Sequence, residues 1–283
     1  MGIAFPQHRA GGYKGIIDRP DSMGRRSQRP LTRRSHRNRS SLETSANSGV
    51  IVSPQIKFRG VLFDAAETLF TTRGSVGEIY ASVAHAYGSK AEPDAIQAAF
   101  LRQFRGAGPI SVHDEKRWWK DIVCRVFAEV GMVENFDEFF ERVYDKFRNS
   151  QGWMLFPETL EVLNELKGLG LKLGLISNFD SRAYTVLESL GIRHFFDAVT
   201  LSSEAGYSKP DAGIFESAVR ALALPASTIL LVGDSLHDDV EPATRLGLAA
   251  VLIDRRGRYT SSGHVPRISS LKEVISEVRQ LPS

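Results

Sequence analysis

Cysteine and long apolar runs are the two things this chain has little of. A single cysteine, Cys124, stands among 283 residues, so no disulfide framework can form within the chain. That suits a reducing compartment and makes a cytoplasmic setting the expectation. No apolar run is long enough to cross a bilayer, and no segment has the apolar h-region of a secretory signal, so neither a membrane partner nor export is expected. What is present is ordinary for a soluble globular protein: 42% hydrophobic and 24% charged residues. The length suits one large domain or two small ones.

Acids are scarce in one place. Residues 1–50 hold ten Arg or Lys against Asp18, Asp21 and Glu43, a local net of +7; the whole chain is only +3, which leaves −4 for residues 51–283. The high pI therefore belongs to the N-terminal segment, and averaging it over the chain would falsely suggest a nucleic-acid binder. Residues 24–41 (GRRSQRPLTRRSHRNRSS) show no helix or strand period and too few apolar side chains to fold alone. Residues 1–52 read as a basic, disordered extension, or as the product of a start codon placed too early, with Met23 as an internal candidate. An Arg- and Ser-rich, acid-poor segment also resembles an organellar transit peptide. Nucleic acid or anionic lipid would be touched only through this arm. Nothing in the sequence fixes an oligomeric state.

From residue 53 onward, short apolar runs alternate with amphipathic segments. Strands are expected at Phe58–Phe63, Leu171–Ile176, Ala198–Leu201, Thr228–Val232 and Ala249–Ile253. Helices are expected at Pro157–Leu169, Ser181–Leu190, Asp211–Leu222 and Asp238–Leu246, the first opened by Pro157, the second closed by Gly191 and the last by Gly247. Strand–helix alternation predicts an α/β fold with a Rossmann-like, doubly wound parallel sheet. The stretch 73–152 breaks the rhythm. It shows no strand, and helices are expected at Val76–Tyr87, Ala91–Phe104, Glu115–Val130 and Phe136–Phe147, with Trp119, Ile122, Val123, Val126, Phe127 and Val130 along one stripe. The expected organisation is a core of 53–72 and 153–283 with an inserted α-helical cap at 73–152.

Ligands of parallel α/β sheets bind beyond the carboxyl ends of the strands, so the residues just after each strand are the ones to inspect. They are Asp64; Ser177, Asn178 and Asp180; and Gly233, Asp234, Ser235, Asp238 and Asp239, with Lys209-Pro210 just before the Asp211 helix. One hydroxyl, one lysine and several carboxylates would meet at one end of the sheet. An Asp after a strand can equally cap a turn, but Asp234, Asp238 and Asp239 so close together would repel one another without a cation. Asp180 reads as a helix N-cap or first-turn acid. Trp118 and Trp119 read as packing residues of the helical segment, and His113, His237 and His264 as surface or loop residues.

The four pieces VLFDAAETLF, LGLISNFD, SKPDAGIF and VGDSLHDDV, in this order and spacing across about residues 58–253, resemble the haloacid dehalogenase superfamily, in the branch with a helical cap after the first strand. Asn178-Phe179-Asp180 and Trp118-Trp119 narrow the resemblance to one group within it. The resemblance implies a hydrolase, most simply a phosphatase acting on a small phosphorylated metabolite. Asp64 would be the nucleophile and form an aspartyl-phosphate. A Mg²⁺ ion would be held by Asp64, the Ala66 backbone carbonyl and Asp234, with Asp239, less so Asp238, on a metal-bound water. Ser177 would donate to a phosphoryl oxygen, Lys209 would neutralise developing charge, Thr68 would orient the loop after the nucleophile, and Asn178 would join Thr68, Ser177 and Lys209 around the substrate.

One departure matters. The superfamily's phosphatases carry a second Asp two residues after the nucleophile as general acid and base; here that residue is Ala66, which transfers no proton. General acid–base help is worth roughly two to four orders of magnitude. Three readings stay open: a slow or specialised phosphatase, with Glu67 in place of the missing acid; chemistry resembling phosphonoacetaldehyde hydrolysis, which also has Ala there and needs a cap lysine, with Lys90, Lys116 and Lys120 available; or a quiet member that binds phosphometabolites or partners. Dehalogenase-like chemistry is disfavoured because the chain keeps the Gly233-Asp234 metal motif that dehalogenases lack.

Overall fold

The computed structural model describes residues 55–280 except 109, 111, 112 and 261–263; the expected extension 1–52 lies outside the described residues. Eight strands position the site: β1 (Gly60–Phe63), β2 (Phe70–Thr72), β3 (Trp153–Leu155), β4 (Lys172–Ser177), β5 (Ala198–Leu201), β6 (Ile229–Gly233), β7 (Ala249–Ile253) and β8 (Arg267–Ile268). Six form one sheet in the order β5-β4-β1-β6-β7-β8, and every neighbouring pair in it is parallel. This is the α/β architecture that the alternation of strands and helices predicted.

Helices cover both faces of this sheet, which is why its strands are apolar throughout rather than alternating. In β1, Val61 and Phe63 join one buried cluster with Leu173, Leu175, Leu230 and Val232, while Leu62 points the other way to Ile176, Leu231 and Leu252. The first cluster is closed by α5 (Thr159–Gly168) and α6 (Arg182–Ser189) through Val162, Leu163, Leu166, Val186 and Leu187; the second by α7 (Ala212–Leu222) through Ile214, Phe215, Ala218 and Leu222. Asp211 caps α7, its side chain accepting from the Gly213 amide at 2.7 Å.

Between β2 and β3 run α1 (Val76–Ala84), α2 (Pro93–Arg105), α3 (Glu115–Val130) and α4 (Phe136–Lys146). Ser75 and Glu78 form a reciprocal capping box that starts α1, and Pro93 opens α2 where its missing N–H is no loss. These helices share an aromatic core. The Tyr80 ring meets Phe100 and Phe147 edge to face at 5.9 and 5.6 Å, and Phe127 meets Phe139 likewise at 4.7 Å. The helical segment leaves and rejoins the sheet through an antiparallel pair, Phe70–Thr72 against Trp153–Leu155, which sequence periodicity does not reveal because each strand is three residues long.

The expected helix Asp238–Leu246 differs in form. It begins as one π turn, Leu236–Val240, followed by the α turn Glu241–Arg245. Pro242 has no N–H to return to residue 238. The amides of Asp239 and Val240 instead both reach the Ser235 carbonyl, at 3.1 Å each, which widens the turn and aims Asp239 at the sheet edge.

Candidate active site

Strand register brings the site together before any side chain is considered. Phe63 pairs with Leu175 on one side and Val232 on the other, and the Asp64 amide donates to the Val232 carbonyl at 2.9 Å. The residues that follow β1, β4 and β6 therefore lie side by side at the carboxyl edge. Asp64, Asp234 and Asp239 each present an oxygen within 4.8 Å of the others. Close approach of Asp239 depends on Gly233: a Cβ there would stand 2.5 Å from the Asp239 side chain. Asp238, the lesser expectation for this role, instead pairs with His237 at 2.8 Å. His113, His237 and His264 are exposed.

Lys209 enters this cluster from the segment ahead of α7. Its Nζ donates to Asp64 Oδ1 at 2.5 Å and to Asp239 Oδ1 at 2.7 Å, and Asp64, Lys209 and Asp239 are 5%, 4% and 1% exposed. Asn178 fixes that segment. Its Oδ1 accepts from the Lys209 amide at 2.7 Å, and its Nδ2 donates to the Lys209 carbonyl at 3.0 Å. The Asn178 amide, expected beside the substrate, is thus engaged with the lysine's own backbone.

Charge in this cluster is out of balance. Burial pushes the Asp64 carboxyl up from 3.8 to about 7; Lys209 opposes the rise, and Asp239 and Asp234 add to it. Burial, then Asp239, push Asp234 up from 3.8 to about 6 against the pull of Arg258 and Lys209. Burial alone would lower Lys209, but Asp239 and Asp64 outweigh it and hold the ammonium above its ordinary value. Three carboxylates against two cations, Lys209 and Arg258, make an all-oxygen donor set with surplus negative charge, which suits a hard divalent cation such as Mg²⁺.

Two hydroxyls complete the site. Ser177 Oγ, at the end of β4, and Thr68 Oγ1, in the loop after Asp64, are buried with no hydrogen-bond partner among the described residues. An unpartnered buried hydroxyl costs about 1–3 kcal/mol, a cost that a ligand oxygen would remove. Ala66 is buried and offers only its backbone. Glu67 has a left-handed backbone, φ 65°, and its carboxylate is engaged elsewhere, by Thr71 Oγ1 at 2.6 Å and Arg256 Nη2 at 3.2 Å. Lys90, Lys116 and Lys120, the candidate lysines of the helical segment, lie at the surface, exposed or in ion pairs. Lys116 and Lys120 form surface ion pairs with Glu141 and Asp137 at 2.6 and 2.7 Å, and Lys90 is exposed.

Two groups of residues at the site went unread in the sequence. The loop 254–259 after β7 sends Arg255 to the Thr68 carbonyl at 2.8 Å, Arg256 to Glu67, and Arg258 to Asp234 Oδ2 at 2.7 Å. Three arginines just past a strand's carboxyl end were a legible signal. The second group fastens α3 to the loop after β4. Glu115 accepts from the Ser181 amide at 3.1 Å and from its hydroxyl, and Trp119 Nε1 donates to Asp180. Asp180 also takes Arg182 Nε and Nη2 at 2.8 and 2.7 Å, and the Arg182 guanidinium lies over the rings of Trp119 and Tyr144 at 4.5 and 4.7 Å.

Comparison with known proteins gives the family of the chain. The family model described as haloacid dehalogenase-like hydrolase matches residues 58–247. Haloacid dehalogenase-like hydrolase domain-containing protein 3 of Homo sapiens is 30% identical over 208 residues, 70% of this chain and 83% of that protein. The group that Asn178-Phe179-Asp180 and Trp118-Trp119 pointed to is this one. A glyceraldehyde 3-phosphate phosphatase of Methanothermobacter thermautotrophicus is 35% identical over 127 residues, 44% of this chain and 56% of that protein. Among solved structures, a HAD phosphatase from Thermococcus onnurineus superposes with a TM-score of 0.55 at 24% identity, covering 79% of this chain and all of its own.

Proposed function

The chain belongs to the haloacid dehalogenase-like hydrolases, and from that membership we propose that it is a Mg²⁺-dependent phosphatase acting on a small phosphorylated metabolite through an aspartyl-phosphate on Asp64. The observation behind this reading is the Lys209 ammonium seated between Asp64 and Asp239 in a cluster that also holds Asp234. The name of the archaeal relative, a glyceraldehyde 3-phosphate phosphatase, supports the substrate class.

In this reading Asp64 attacks phosphorus; its oxygen–phosphorus bond forms as the ester bond breaks and the electron pair leaves with the alcohol. Lys209 keeps the other Asp64 oxygen oriented and offsets charge gathering on the phosphoryl group. The Ser177 and Thr68 hydroxyls donate to phosphoryl oxygens, which satisfies both. Asp64, Asp234 and the Ala66 carbonyl would hold Mg²⁺, with Asp239 beside them, and the ion would relieve the repulsion between carboxylate and phosphate. Residues 73–152 act as a cap over the sheet edge, fastened through Glu115 and Trp119. No side chain at position 66 protonates the leaving alcohol, so turnover favours leaving groups that need no proton.

Hydrolysis of p-nitrophenyl phosphate and a panel of phosphometabolites, with Mg²⁺ and with chelator, tests the reading on wild type and Asp64→Asn. Metal-dependent turnover that vanishes in the variant is expected; turnover indifferent to Asp64→Asn would overturn the nucleophile.

A further inference from the structure

The loop after β7 reaches the same carboxyl edge as the expected site loops. Asp254 closes it, its oxygens accepting from the Arg258 and Tyr259 amides at 2.8 and 3.0 Å, and Gly257 makes the turn with a left-handed backbone, φ 63°. The turn delivers Arg258 to Asp234: Nη2 donates to Oδ2 at 2.7 Å and to the Asp234 carbonyl at 3.2 Å. Tyr259 adds its hydroxyl to the same carbonyl at 3.2 Å. The other two arginines of the loop end elsewhere, Arg255 on Glu158 and the Thr68 carbonyl, Arg256 on Glu67. Arg258 is thus the one arginine of this loop that contacts a carboxylate of the cluster.

Its charge has two consequences of opposite sign. A guanidinium beside Asp234 repels a divalent cation that shares this carboxylate, and attracts an anion brought to the same place. A side chain that served only to pack the turn would, when removed, loosen the site for both.

We propose that Arg258 sets the charge balance of this site, holding Asp234 in place while weakening the grip on the cation and strengthening the grip on the phosphoryl anion. The proposal deepens the phosphatase reading and rests on it. Arg258 acts through Asp234, so it is a positioning and charge-setting residue. A lysine here keeps the charge and a glutamine removes it, so charge and shape can be separated.

Calorimetric titration of the full chain tests this with two probes: Mg²⁺ alone, then inorganic phosphate at saturating Mg²⁺. For Arg258→Gln and Arg258→Met the Mg²⁺ Kd is expected to fall and the phosphate Kd to rise, each about threefold to tenfold at low ionic strength, with the shifts shrinking as salt is added. Arg258→Lys is expected within about twofold of wild type for both probes. A neutral variant, folded by circular dichroism, that binds Mg²⁺ as weakly as wild type or more weakly overturns the proposal alone. Wild type that shows no saturable Mg²⁺ binding overturns the metal-dependent reading, and this proposal falls with it.

Discussion

The ion cluster around Lys209 and the ion pair Asp180–Arg182 are both buried, and they are built on different principles. Asp180 meets Arg182 in fork geometry and takes a further bond from Trp119, while the guanidinium lies over two aromatic rings, Trp119 and Tyr144. Charge is matched one to one and the hydrogen bonds are closed within the protein. Around Lys209, three carboxylates share two cations, the buried ammonium and Arg258; Asp64 and Asp234 sit well above their ordinary pKa, and two nearby hydroxyls have no partner among the described residues. A buried pair completed by its own surroundings holds parts together. A buried cluster left short of positive charge and rich in open donors is arranged for something that is not protein.

The largest effect that would sharpen this contrast is catalytic. Asp64→Asn should cost at least about a thousandfold in phosphatase turnover, since the nucleophile itself is removed; steady-state rates decide it. Next comes Asp180→Asn. It leaves the buried Arg182 charge without its partner and should destabilise the fold by about 3 kcal/mol, read from urea unfolding. A loss near zero would show that the matched pair is not a fastening. Ala66→Asp should raise turnover about tenfold or more, and further for alkyl phosphates than for p-nitrophenyl phosphate, because only the alkyl alcohol needs a proton to leave. Equal gains on both would mean the new carboxyl acts in another way.

The smallest effect turns on a sign. The Asp64 carboxyl holds its proton more tightly folded than unfolded, with the pKa moving from 3.8 to about 7. Between those values the folded state binds more protons, so stability rises as pH falls from about 7 and is lost as pH rises toward 7. Chelated wild type should therefore melt higher at pH 5.5 than at pH 7.5, and Asp64→Asn should lack that part of the slope. At pH 7.5 the same Asp→Asn change that weakens the fold at position 180 should leave it about 1 kcal/mol firmer at position 64. Thermal unfolding of both variants across pH checks the opposition.

Much of this was legible from sequence for a specific reason. Residues just past a strand's end lie at the sheet's carboxyl edge, so periodicity sets Asp64, Ser177 and Asp234 among the positions to inspect, and the resemblance alone supplies their roles. Lys209 could be suspected but not placed, because its two partners lie 145 and 30 residues away and meet it only through sheet order. The fastening of Trp119 to Asp180 spans 61 residues, and helical period gave the Trp119 stripe without its destination. The hairpin β2–β3 is too short for any period. Periodicity makes Asp238–Leu246 an ordinary helix and leaves Pro242 unused, so the π turn that turns Asp239 inward went unforeseen.

Gly233 carries one more consequence. Its φ is not among the left-handed values, so backbone freedom is not what it supplies; it supplies vacancy, filled by the carboxylate of Asp239. Any side chain there would evict the acid and wedge apart the turn on which β6 ends. Loss of the chemistry and loss of the folded edge are then one mutational event rather than two. A lineage could not drift into an inert but well-folded form by changing this position; such forms would have to arise through changes elsewhere in the site.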